Sequence, residues 1–189
     1  AAYLFRDADH LIKTFRSDIG KEYYDDVANK VGLVILDTAY LGTRTINLNN
    51  DKKIEKPTDL NGTKMRMPPG ASFQVLAKAL GATPVAMPIT EVYLGLKTGQ
   101  IDAQDNPTNM TRDWKFHEVT KQVVLTKHLV QPVFIAMAKP AFDKLTPAQQ
   151  SELRSAAREA SEMQIAKTLQ DEKSALDTFR AANVRISEP

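Results

Sequence analysis

Residues 64–107 read KMRMPPGASFQVLAKALGATPVAMPITEVYLGLKTGQIDAQDNP. Three short apolar runs alternate here with two helical ones. Lys64–Met67 predicts a strand, Ser72–Leu80 a helix closed by Gly81, and Thr83–Met87 a second strand. Thr90–Thr98 predicts a helix closed by Gly99, and Ile101–Asp105 a third strand. A glycine just past the last apolar-periodic residue marks where a helix turns left-handed and stops. Strands separated by helices are joined by crossovers, which build parallel sheet with helices on its faces. The fold class is α/β.

Upstream, Asp7 or Asp9 caps a short helix carrying Leu11, Ile12 and Phe15. Ser17 caps a second helix running to about Val31, with Gly32 as its stop. Leu33–Leu36 and Gly42–Asn49 predict two strands. Asn49-Asn50-Asp51 and Pro57–Gly62 are turn material. Downstream, Thr108–Trp114 starts a helix, and Gln122–Thr126 and Val133–Ala138 predict two more strands.

The last third is one long helical signal. Thr146-Pro147-Ala148-Gln149 combines a Thr cap, a Pro at the first helical position and a Gln three residues after the cap. No Gly or Pro follows until Pro189. A helix from Pro147 to about Ala182 is roughly 54 Å long at 1.5 Å per residue. A compact domain of this length is only about 40 Å across. The apolar residues Leu153, Ala156, Ala160, Met163, Ala166 and Leu169 pause at Gln170-Asp171-Glu172-Lys173, then resume at Leu176 and Phe179. This pattern predicts a helix that packs on two bodies and crosses solvent at the charged pause. A kinked terminal helix is the other reading.

Composition sets the bounds. The chain has 189 residues, 42% of them hydrophobic and 25% charged, which excludes disordered and collagen-like classes. Lys+Arg 25 against Asp+Glu 23 is too balanced to name nucleic acid or an anionic membrane as partner. No cysteine is present, so disulfides, thiol catalysis, zinc fingers and iron–sulfur clusters are out.

His10, His117 and His128 show no ligand spacing and read as surface or satisfied polar residues. Asp102 and Asp105 read as a solvated loop, Trp114 and Phe116 as core anchors. No nucleophile–base set assembles. Pro68–Ser72 opens a helix whose backbone N–H groups suit an anion as well as a cap. Arg66 is different. It stands between Met65 and Met67, on the opposite face of the strand, and Pro68 ends the strand there. The C-terminal end of a parallel strand is where α/β folds place ligand contacts, and a guanidinium grips a carboxylate with two parallel bonds. Arg44, in Thr43-Arg44-Thr45-Ile46, and Asn106, in Asp105-Asn106-Pro107, are further candidates at strand ends. Each alone also reads as an exposed polar residue at a strand edge.

The ordered series of segments carries a resemblance. Asp59-Leu60-Asn61-Gly62-Thr63-Lys64-Met65-Arg66-Met67-Pro68 resembles the "DLKGlKiRvP" segment of TRAP transporter periplasmic substrate-binding proteins of the DctP type. The similarity continues through Ala79–Pro84, Met87–Tyr93, Leu96–Pro107 and Phe116–Val119 to Thr126-Lys127-His128 and Leu145–Gln150, nearly the whole chain. It implies a periplasmic binding protein-like (type II) fold, a two-lobe flytrap with mostly parallel sheets and a long helix spanning both lobes. Residues 1–42 would then be part of lobe I and 43–131 the ligand-clamping lobe II. Residues 132–170 would return to lobe I with the first half of the spanning helix, and 171–189 would carry its second half back to lobe II.

The resemblance also implies a function. The protein is expected in the periplasm, binding a small organic acid without cofactor or metal and passing it to the membrane permease subunits of an ion-gradient-driven TRAP transporter. It is expected neither to sit in the membrane nor to bind nucleic acid. Arg66 falls on the family's carboxylate-clamping arginine, and Arg44 on the arginine of its "G-x-R". Asn106 falls on the asparagine of "GQENP", a hydrogen-bond donor to the ligand, and Ile89 on the pocket position of "MPFSEVY". Ile89 departs from the usual aromatic residue, and Ala103 and Asp105 replace Gly and Glu. The chain begins close to the "YLFRD"-like segment at Tyr3–Asp7, so a fragment lacking N- and C-terminal parts is expected. An α/β enzyme acting on a carboxylate explains the arginines equally, and a receptor feeding a sensor kinase shares the same site. Arg66 specifies a carboxylate and Ile89 an aliphatic wall, which sugar acids, aromatic acids, hydroxy acids and dicarboxylates all satisfy.

Overall fold

A computed structural model describes residues 2–189; Ala1, the first residue of the expected lobe I segment, lies outside the described residues. In chain order the elements are α1 (Ala8–Phe15), α2 (Asp18–Val31), β1 (Leu33–Leu48), β2 (Lys64–Met67), α3 (Ala71–Ala79), β3 (Thr83–Ala86) and α4 (Val92–Thr98). They continue with β4 (Ala103–Pro107), α5 (Thr108–Asp113), β5 (Gln122–Ala138), α6 (Lys139–Phe142), α7 (Pro147–Ala181) and β6 (Arg185–Ser187). The chain divides into two compact units. One is built mainly from Thr43–Leu129 and Asp171–Pro189, the other from Tyr3–Gly42 and Val130–Gln170.

The first unit holds a sheet in the order β3-β2-β4-β1-β5-β6. β2 pairs parallel with β3 and with β4, and β5 parallel with β6, as the alternation of strand and helix requires. The sheet is nonetheless mixed, with an antiparallel pairing beside these parallel ones. β1 runs antiparallel to β4, with Arg44 opposite Pro107 and Ile46 opposite Asp105. Met65 and Met67 pack with Leu48, Leu60, Ala77 and Leu80, while Met87, Val92, Leu96, Ile101 and Phe116 form a separate cluster. Gly81 follows α3 with φ +88°, and a Cβ there would stand 2.2 Å from the Pro57 carbonyl oxygen. Only glycine fits such a turn.

In the second unit Asp7 caps α1, its Oδ1 accepting the His10 N–H at 2.7 Å. Leu11, Ile12, Tyr40 and Val130 form the core. Phe15 meets Tyr23 and Phe134 edge-on, at ring separations of 5.6 and 5.3 Å. α7 opens on the expected reciprocal cap. The Thr146 N–H donates to Gln149 Oε1 at 2.9 Å, and the Gln149 N–H to Thr146 Oγ1 at 3.3 Å.

Two pairs of expected strands fuse. Leu33–Leu36 and Gly42–Asn49 belong to one 16-residue β1, and Gln122–Thr126 and Val133–Ala138 to one 17-residue β5. Polar residues between the two expected strands of β1 find partners. Asp37 accepts from Arg16 at 2.9 Å, and Thr38 shares a hydrogen bond with Tyr24 at 2.5 Å. β4 is displaced two residues C-terminal of the expected strand, which brings Asn106 and Pro107 into the ladder.

α7 ends within one residue of expectation, and Phe179 is buried with Leu176 packed beside it as expected, but before the charged pause the helix buries another face. Ala157, Ser161 and Thr168 are buried, whereas Met163 is 69% exposed and Leu169 is exposed too. The helix turns polar groups toward β1 because that strand offers backbone groups. Gln164 Oε1 accepts the Tyr40 N–H at 3.1 Å while Gln164 Nε2 donates to the Tyr40 carbonyl at 2.7 Å. Arg154 donates to the Ile35 carbonyl at 3.1 Å. The charged pause is not a stretch of bare solvent either. Glu172 accepts the Thr43 N–H at 2.7 Å, and Asp171 stands 3.6 Å from Arg112.

Candidate ligand-binding site

The candidate residues gather in the first unit, Arg44 on β1, Arg66 on β2, Asn106 on β4 and Ile89 on the turn after β3. Register explains why. Arg66 lies opposite Gln104 across the β2–β4 pair, and Thr45 opposite Asn106 across the β1–β4 pair. Arg44, Arg66 and Asn106 are all buried, so the reading of each as an exposed strand-edge residue is wrong.

Arg66 Nε donates to the Met87 carbonyl at 2.8 Å, two residues before Ile89. Among the described residues no carboxylate stands within ion-pair distance of this guanidinium. Burial pushes it down to about 10, the nearby Arg44 charge adds to that shift, and Asp105 opposes it. It stays protonated at neutral pH. Ile89 begins a single 3-10 turn, Ile89–Glu91, and packs partly buried on the Met87 and Phe116 cluster.

Arg44 has a protein partner. Its Nε donates to Asp105 Oδ1 at 2.5 Å and its Nη2 to the Asp105 main-chain carbonyl, with the Phe73 ring centroid 5.4 Å from the guanidinium carbon. Asp105 is fully buried, which corrects its reading as a solvated loop residue. Its second oxygen stands 2.8 Å from Nε2 of the buried His128, whose Nδ1 is 2.7 Å from Thr126 Oγ1. An ionised Asp105 only accepts, so Nε2 carries a hydrogen and, in the neutral ring, Nδ1 accepts from the Thr126 hydroxyl. Burial works against the Asp105 charge, but the Arg44 guanidinium and the His128 bond outweigh it and hold the carboxyl below its ordinary value.

Asn106 Nδ2 donates to Gln104 Oε1 at 2.6 Å. Three successive polar residues are thus buried in one strand, Gln104 bonded to Asn47 and Thr111, Asp105 to Arg44 and His128, and Asn106 to Gln104 itself. Nothing in their spacing announces this; the one hint is polar residues inside a predicted strand, which must find partners if the strand is central. His128 is satisfied, as expected. His117 is not: its Nδ1 is buried with no hydrogen-bond partner among the described residues. Trp114, expected in the core, is 40% exposed, whereas Phe116 is fully buried. Among the described residues no group of three His, Asp or Glu is placed to hold a metal ion, and no helix is long and apolar enough to cross a membrane.

Known proteins resemble this chain along its length. Residues 1–189 match the DctP family, described as bacterial extracellular solute-binding protein, family 7. The 2,3-diketo-L-gulonate-binding periplasmic protein YiaO of Escherichia coli (strain K12) is 35% identical over 184 residues, 97% of this chain and 56% of its own length. A TRAP periplasmic solute-binding protein from Roseobacter denitrificans, solved with bound 3-deoxy-D-manno-oct-2-ulosonic acid (KDO), superposes with a TM-score of 0.96 at 36% identity, covering 100% of this chain and 63% of that one. One from Chromohalobacter salexigens with bound D-glucuronate has a TM-score of 0.93 at 27% identity, covering 99% and 62%. The chain therefore spans a little over half the length of the curated relative. The family is described as one of solute-binding proteins, not of enzymes acting on a carboxylate. The chain belongs to the DctP family of bacterial extracellular solute-binding proteins, the periplasmic receptors of TRAP transporters.

Proposed function

We propose that the receptor containing this span binds a sugar acid by its carboxylate and delivers it to a TRAP-type membrane permease driven by an ion gradient. One observation carries the reading. Arg66 is a buried cation with no protein carboxylate against it among the described residues, beside an Arg44 that Asp105 already pairs. A desolvated guanidinium in this state gains most from a bidentate anionic partner. The class of acid follows from the relatives: 2,3-diketo-L-gulonate, KDO and D-glucuronate each combine a carboxylate with several hydroxyls.

In this reading Arg66 pairs with the carboxylate, Arg44 adds charge, Asn106 orients the ligand by hydrogen bonds, and Ile89 supplies an aliphatic wall. Residues 43–131 and 171–189 then form the ligand-clamping lobe of a two-lobe flytrap, and residues 1–42 and 132–170 belong to the other lobe. A thermal-shift panel of D-glucuronate, D-galacturonate, KDO and simple dicarboxylates on the intact receptor tests the reading. A ligand of the folded state raises the unfolding midpoint with concentration. A midpoint that no sugar acid moves overturns it.

A further inference from the structure

A chain of buried side-chain amides ends on Asn106, and its direction is forced. The Gln122 main-chain carbonyl can only accept, and it receives Asn47 Nδ2 at 2.9 Å. The Thr120 hydroxyl donates to the Phe116 carbonyl at 2.9 Å, so it too accepts from Asn47 Nδ2, at 2.8 Å. Both Asn47 amide hydrogens are thereby used, and Asn47 Oδ1 must face Gln104. It accepts Gln104 Nε2 at 3.3 Å, and that nitrogen donates its other hydrogen to Thr111 Oγ1 at 3.0 Å. Gln104 Oε1 is then the end turned to Asn106, and Asn106 answers with Nδ2 at 2.6 Å. Two main-chain carbonyls thus set the orientation of three amides in sequence, and turning any one over puts oxygen against oxygen or hydrogen against hydrogen.

We propose that Gln104 and Asn47 are positioning residues that lock which way the Asn106 amide faces. The assignment rests on the receptor reading above, in which Asn106 touches the ligand. With one Nδ2 hydrogen committed inward, Asn106 presents Oδ1 and its second Nδ2 hydrogen together. That acceptor–donor pair fits a hydroxylated acid, the hydroxyl donating to Oδ1 and an oxygen of the ligand accepting from Nδ2. Asn106 is then more than the hydrogen-bond donor that the family resemblance implies.

Two neutral substitutions separate positioning from mere packing. Thr111→Val removes the acceptor of one Gln104 Nε2 hydrogen but leaves Gln104 Oε1 turned to Asn106. It lowers the thermal midpoint while calorimetric affinity for the tightest binder among D-glucuronate, D-galacturonate and KDO stays within about threefold of wild type. Gln104→Met removes the acceptor, frees Asn106 to turn over, and weakens the same ligand about tenfold. Affinity that simply follows the midpoint through both variants, or Gln104→Met at wild-type affinity, overturns the proposal. A ligand-free measurement stands beside these and decides if Thr111→Val does not fold. In wild-type receptor the side-chain NH2 hydrogens of Asn47 and Gln104 exchange slowly by 15N NMR, and fast exchange overturns the amide chain. Slow exchange in a wild-type receptor that binds none of the three acids leaves the chain intact and overturns the receptor reading instead.

Discussion

Arg44 grips Asp105 at two points, its Nε on the carboxylate and its Nη2 on the main-chain carbonyl of the same residue. The grip ties β1 to β4 in register and settles where the Arg44 plane lies. Both side chains are buried, so removing one leaves the other's charge without compensation. Asp105→Ala is expected to destabilise the protein by about 3–5 kcal/mol. Urea unfolding at neutral pH checks it, and a loss under about 1 kcal/mol argues that the pair is structurally idle.

Acid tests the same carboxyl. The Asp105 group is more acidic folded than unfolded, because Arg44 and the His128 bond outweigh its burial. Such a group adds stability above its unfolded value, near 4, and that stability is lost as pH falls through the lower folded value. Urea midpoints therefore drop below about pH 4 in wild type. Asp105→Asn is expected to flatten that acid limb; an unchanged limb places the titration elsewhere.

Arg66 is expected to behave in the opposite way in the ligand-free protein. Its guanidinium is held down to about 10 by burial and by Arg44, a sign that the folded state disfavours its charge. Arg66→Met then leaves the thermal midpoint unchanged or higher. Binding responds differently: loss of one buried partner of a charge pair costs about 2–5 kcal/mol, roughly thirtyfold or more in affinity. Lysine does not restore it, since the two-pronged geometry is gone. Calorimetry on Arg66→Met and Arg66→Lys, with midpoints measured alongside, reads both effects.

Gly81 offers a purely structural check. Alanine there meets φ +88° and places its Cβ 2.2 Å from the Pro57 oxygen. Gly81→Ala is expected to destabilise by more than about 1 kcal/mol. Gly99, at φ +74° with open space around its missing Cβ, gives a smaller loss from backbone strain alone. Chemical denaturation of the two variants ranks them.

Local signals carried the helix ends. Gly32, Gly81 and Gly99 mark stops, and Thr146 with Gln149 marks a start, because a cap needs only residues a few positions apart. Interactions distant in sequence were not legible. β1 runs through Asp37 and Thr38 because Arg16 and Tyr24 meet them, and Asp105 is buried because Arg44 and His128 wait for it. The face of the first part of α7 was misjudged for the same reason. Hydropathy favours Met163 and Leu169, but backbone groups of β1 select Gln164 and Arg154. Arg44, Arg66 and Asn106 stood out individually, whereas the Gln104 amide bonded to Asn106 and the His128 ring bonded to Asp105 did not.

Gln164 has a mechanical consequence. Its amide meets both the N–H and the carbonyl of Tyr40, as a neighbouring strand would. A slide of α7 along β1 by even one residue, 1.5 Å, breaks both bonds together. The side chain works as a detent, holding helix and strand at one setting, and it leaves that point of the strand with no unmet group for a stray polypeptide to seize.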